Sequence, residues 1–104
     1  MNNDEAINII RTTCESVFPD CRVLLFGSRA RSDYSEDSDF DFLIVTKKTF
    51  DVKQKRSYKS LLRKRLATYK IPADILIQRQ KEIDIKERIT GHIIREIIKE
   101  GVTI

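Results

Sequence analysis

Glycine and proline are scarce in this chain, three and two residues in 104. With so few chain breakers, 40% hydrophobic and 35% charged residues exclude a disordered chain and describe a single domain over 1–104, large enough for one core and too small for two. Cysteine is equally sparse. Cys14 and Cys21 are too few for a disulfide scaffold, and His92, the only histidine, does not complete a four-ligand zinc site with them, so both read as packed thiols. No apolar run exceeds a few residues, which argues against a bilayer-spanning helix, and the opening MNNDEAINII lacks the basic, apolar, small-residue order of a secretory signal. No membrane role is expected, and the cytoplasm is the expected location.

Acids are also missing from one segment. Lys47, Lys48, Lys53, Lys55, Arg56, Lys59, Arg63, Lys64, Arg65 and Lys70 crowd a stretch in which Asp51 is the only acid, while the whole chain carries a net charge of +4. Such a run is either a solvated helix face or a surface for a polyanion or an acidic protein.

What is present is alternating helical and strand patterning. Ala6, Ile7, Ile10, Cys14, Val17 and Phe18 recur at helical spacing before Pro19, and Arg22 to Phe26 reads as a buried strand running into a turn at Gly27. Phe40 to Val45 is apolar enough for a strand covered on both faces. A helix follows over 51–69 with Tyr58, Leu62, Leu66 and Tyr69 as its stripe, then a strand from Ala73 to Ile77. Ile89, Ile93 and Ile97, flanked by Ile94 and Ile98, predict a last helix that contains His92 and closes at Gly101. Ile83 and Ile85 alternate as a strand would, and Val102 to Ile104 suits a terminal strand. The order implies an α/β sandwich with a small sheet.

The stretch LLFGSRARSDYSEDSDFDFLIV carries the chemistry. Asp39 and Asp41 flank Phe40, so on an extended strand their carboxylates point the same way and repel unless a cation lies between them or one is protonated. Mg²⁺, a hard cation that takes oxygen ligands together with substrate phosphates, answers that requirement. Gly27 lets a phosphate approach the backbone, Ser28 offers a hydroxyl and an amide, and Arg29 and Arg31 add positive charge where a triphosphate would lie. Asp74 opens the strand ADILI. If that strand lies beside the second one, three carboxylates share an edge and suit two metal ions, one activating a hydroxyl and the other steadying a leaving pyrophosphate.

Gly-Ser, ten intervening residues, Asp-x-Asp and a downstream strand aspartate resemble the minimal nucleotidyltransferase domain of the DNA polymerase β superfamily, and the resemblance extends from GSRAR to KEGVTI. The chain is similar to the antitoxins of HEPN/MNT toxin-antitoxin pairs. That resemblance implies a polymerase-β-type palm, a small mixed sheet backed by helices. It implies an Mg²⁺-dependent nucleotidyltransferase that moves AMP from ATP to a tyrosine of a cognate HEPN ribonuclease toxin, in a hetero-oligomer with it. Asp39 and Asp41 would ligate both metals, Asp74 would bind one and help remove the acceptor proton, and Gly27 and Ser28 would hold the β and γ phosphates, with Arg29 and Arg31 near the triphosphate. Ser32 stands where the family usually has a second glycine. The alternatives are an antitoxin that neutralises its toxin by binding alone, and a nucleotidyltransferase acting on RNA held by the basic segment 47–70.

Overall fold

The computed structural model describes residues 1–104 and orders one sheet as β3-β2-β1-β4, formed by β1 (Arg22–Phe26), β2 (Phe40–Thr46), β3 (Ala73–Arg79) and β4 (Val102–Thr103). β1 is antiparallel to β2 and to β4, whereas β2 and β3 are parallel. A parallel pair needs a crossover, and the helix between the two strands supplies it.

Local chemistry accounts for where the helices start and stop. The first helix, α1 (Asn3–Val17), begins where Asn2 Oδ1 accepts the Glu5 amide at 2.8 Å, with Asp4 and Glu5 placed favourably in its first turn. The crossover helix, α3 (Val52–Ala67), opens with a capping box in which Asp51 Oδ1 accepts from the Gln54 amide at 2.7 Å and Gln54 Oε1 accepts from the Asp51 amide at 3.0 Å. It closes in a Schellman-type turn. Lys70 takes φ 58, and the Lys70 and Ile71 amides donate to the carbonyls of Ala67 and Leu66.

Strand alternation sends apolar side chains to both faces. Phe40, Phe42 and Ile44, joined by Val23, Leu25, Ile75 and Ile77, pack against Ile10, Cys14, Leu62 and Leu66 of α1 and α3. On the opposite face Leu24, Leu43 and Val45 meet Ile83, Ile94 and Ile97, carried by the short helices α4 (Gln80–Lys86) and α5 (Ile93–Glu100). No helix is long and apolar enough to cross a membrane. Burial pushes the Cys14 thiol up to about 12 and raises Cys21 as well, so Cys14 is an inert packed thiol.

Three expectations need correction. The last helical segment is two helices, because Gly91 at φ 82 breaks the chain and His92 caps α5, its Nδ1 accepting the Ile94 amide at 3.1 Å. With the phase reset there, Ile94 and Ile97 are buried while Ile89 and Ile93 are exposed, so the apolar stripe is not the one that uninterrupted spacing from Ile89 predicts. Ile83 lies in α4 and is buried; Ile85 points to solvent. Tyr69 falls outside α3 and is exposed, whereas Tyr58 stacks edge-on with Phe18 and Phe50.

The remaining short helix, α2 (Gly27–Arg31), ends at Ser32, whose φ of 65 and ψ of 18 lie in the left-handed region. That is the conformation a glycine would take without steric cost, and a side chain there costs about 1 to 2 kcal/mol. Ser32→Gly is therefore expected to raise stability by about 1 kcal/mol and the melting temperature by a few degrees, with no gain from Ser32→Ala; thermal unfolding of the two variants checks this.

Candidate active site

Sheet register builds the site. In the antiparallel ladder Phe26 pairs with Asp41, which brings Gly27, the first residue past β1, against the Asp41 carboxylate. The chain turns there at φ 71, and a Cβ on Gly27 would collide with Asp41 Oδ2 and stand 3.2 Å from its Cγ. Only glycine satisfies both the backbone angle and the space. Ser28 follows on α2, half-buried at the same corner.

In the parallel ladder Asp41 pairs with Asp74, and adjacent strands lie about 4.8 Å apart. The next pair on that face, Leu43 and Leu76, belongs to the apolar layer beneath α4 and α5. The acids therefore occupy the end of the face that this layer leaves open. Asp39 precedes β2 by one residue and is exposed. The strand entry is pinned by the Phe40 amide donating to the Pro72 carbonyl at 2.9 Å.

Electrostatics report the same proximity. Partial burial raises the Asp41 carboxyl above the usual carboxylate range, the charges of Asp74 and Asp39 raise it further, and Arg31 opposes them. Asp74 also has a cation from the other side of the sheet edge. Arg63 of α3 places Nη2 3.7 Å from Asp74 Oδ1, while its Nε donates to the Ala73 carbonyl at 3.4 Å. No three acidic, cysteine or histidine side chains close around one point to make a ready ion cage. The donor set nevertheless suits a hard cation: two carboxylates, Asp41 and Asp74, paired by register, with the first raised by burial and by the charges of Asp74 and Asp39, beside a glycine corner that a side chain would fill.

The arginines divide. Arg29, expected at the phosphates, has a different task here: its guanidinium lies 4.3 Å from the Tyr34 ring centre and 4.2 Å from that of Phe40, and donates to the Ser38 and Glu36 carbonyls at 3.0 to 3.2 Å. It is buried and holds the 33–39 loop onto the entry of β2, and so positions Asp39. Motif spacing does not reveal that role, nor the part of Tyr34 in covering the guanidinium; the cue in the sequence is an arginine with aromatics five and eleven residues further on. Arg31 is exposed and pairs with Asp33 at 3.3 Å, a contact worth little in itself.

A carboxyl whose proton is held more tightly in the folded state adds stability below its unfolded value and loses it as pH rises through the folded one. Ionised Asp41 therefore strains the fold at neutral pH. Asp41→Asn is expected to melt higher than the unaltered protein at pH 7, with the advantage gone by about pH 4. Added Mg²⁺ is expected to raise the melting temperature of the unaltered protein and to raise that of Asp41→Asn less. Melting curves across pH and Mg²⁺ concentration check both.

Residues 7–104 match the family model described as "Nucleotidyltransferase domain". The chain is similar to two proteins of Methanocaldococcus jannaschii. It is 39% identical over 83 residues, 80% of this chain and 77% of the relative, to "Putative protein adenylyltransferase MJ0141". It is 30% identical over 103 residues, 97% and 96% of the two chains, to "Putative protein adenylyltransferase MJ0604". The crystal structure of a putative nucleotidyltransferase from Sulfolobus solfataricus superposes with a TM-score of 0.57 at 26% identity, covering 96% of this chain and 82% of that one. A toxin-antitoxin structure with AMP-PNP shares the fold, with a TM-score of 0.59 at 18% identity over 99% of this chain and 72% of that one. The Asp41–Asp74 pair against Gly27, the mixed sheet that creates it and these matches agree, and the chain belongs to the nucleotidyltransferase family.

Proposed function

We propose that the protein transfers AMP from ATP to a tyrosine hydroxyl of a HEPN-type toxin and thereby acts as its antitoxin. The observation that carries this reading is the register pair Asp41–Asp74 beside Asp39, gathered against a corner that only Gly27 fits. The names of the two Methanocaldococcus relatives support AMP transfer to protein, and the fold shared with a toxin-antitoxin structure supports the partner class.

In this reading Gly27 and Ser28 receive the β and γ phosphates, and Arg31, exposed and close enough to influence Asp41, adds charge beside them. Arg29 keeps the loop and Asp39 in place. Asp39, Asp41 and Asp74 would hold Mg²⁺, which supplies charge neutralisation at the phosphates and favours loss of the hydroxyl proton. The tyrosine oxygen bonds to the α-phosphorus, the bond from that phosphorus to the bridging oxygen breaks, and pyrophosphate leaves. Asp74, on the edge strand, accepts the hydroxyl proton. Neutralisation by binding alone draws on Ser32 replacing a glycine, but Ser32 adopts the left-handed backbone that the glycine would, so the loop gives that alternative no support.

Incubation with ATP labelled at the α-phosphate, Mg²⁺ and the product of the adjacent reading frame is expected to add one AMP to that protein. Asp39→Ala and Asp41→Ala are each expected to lower transfer about 100-fold or more, and to lose protection against the toxin in cells. Full protection by both variants would establish neutralisation by binding instead.

A further inference from the structure

α3 is the most basic element of the protein, and most of its charge is unmatched. Of the cations between Lys47 and Lys70, Lys55 meets Glu82 at 3.3 Å and Arg63 meets Asp74 at 3.7 Å. Lys53, Arg56 and Lys64 are exposed and meet no carboxylate. Helical spacing puts these three on one side of α3, with Ser60 and Ala67 between and beyond them as small residues that let another surface approach. Two exposed apolar side chains border the row, one on each flank, nine residues apart along α3: Val52 is 74% exposed and Leu61 38%. Unbalanced cations repel one another and exposed apolar groups gain from burial, so an acidic partner covering this side relieves both.

The row also has a direction. β2 leads away from Asp41, and α3 returns to the start of β3, where Arg63 touches both Ala73 and Asp74. At the other end of α3, a cavity of about 340 Å³ opens between Phe18, Phe50 and Tyr58, rimmed by Lys47 and Lys48. Sixteen residues of helix span about 24 Å, a length within the reach of a standard protein interface.

We propose that this side of α3 is the docking surface for the acceptor protein, engaging an acidic patch that carries apolar anchors and leading it to Asp74. The consequence at Asp74 rests on the AMP-transfer reading; the docking does not. A nucleic acid fits less well. Asp33, Glu36, Asp37 and Asp39 crowd the loop at the active-site end and repel a continuous phosphate chain, and a phosphate backbone makes no use of Val52 or Leu61.

The test uses the full chain and a fluorescent copolymer of glutamate and tyrosine, with single-stranded poly(U) as the competing class, read by anisotropy in the absence of ATP. The expected result is copolymer binding that weakens as salt rises and falls at least tenfold in the double variant Arg56→Glu/Lys64→Glu. It also falls in Leu61→Ser, and it persists in the charge-matched control Lys81→Glu/Lys99→Glu on α4 and α5. Undetectable copolymer binding, tighter binding of poly(U), or an equal loss in the control overturns the proposal. AMP transfer to the toxin, measured separately, decides the other reading: copolymer binding with the expected variant pattern but no transfer leaves the docking surface standing and removes the catalytic role.

Discussion

The repulsion between Asp41 and Asp74 organises this molecule. Parallel pairing of β2 and β3 holds the two acids in register about one strand spacing apart, and Asp39 adds a third charge from just outside the strand. The fold does not escape the conflict by separating them. Gly27 packs against Asp41 with no side chain to shield it, and the apolar layer beneath α4 and α5 stops one residue pair short, at Leu43 and Leu76. Asp41 is left partly buried beside exposed Asp74 and Asp39, whose charges raise its carboxyl beyond what burial does.

Everything around the acids can be read as holding that arrangement. The crossover helix sets the parallel register, and its Arg63 reaches around the sheet edge to Asp74. Arg29 shows how strongly the loop is constrained. Its guanidinium sits between two aromatic rings and binds two carbonyls, fixing the path of residues 33–39 at a point where backbone groups would otherwise be free. Ser32, in the left-handed region, gives α2 the abrupt end that lets this loop begin. These residues serve placement, and the proposed function leaves the chemistry to Asp39, Asp41, Asp74, Gly27 and Ser28.

The same division separates the two sides of the sheet. α1 and α3 cover the large core and turn outward a basic, partly apolar side, while α4 and α5 cover the smaller one with three isoleucines. In the proposed docking, α3 serves recognition as well as covering the core.

Much was legible in the sequence because it depended on local rules. Strand alternation around Phe40 to Val45, the breaks at Pro19 and Gly27, and the Gly-Ser and Asp-x-Asp spacing are set by neighbours within a few residues. The helical phase beyond Ile83 is not legible there because spacing alone cannot say whether Gly91 interrupts a helix or sits within it. That choice belongs to the sheet face, which buries Ile94 and Ile97 and leaves Ile89 and Ile93 in solvent. Arg29 follows the Gly-Ser pair directly, which suggests a phosphate ligand, and only packing shows Tyr34 and Phe40 around it. The sequence by itself determined most of the elements, though not the split into α4 and α5, and the residue types on which the proposed chemistry draws, since both follow from short-range geometry. The tertiary structure alone decided that Asp74 stands opposite Asp41 across thirty-odd residues, because that pairing exists only when the crossover has packed and the parallel register has closed.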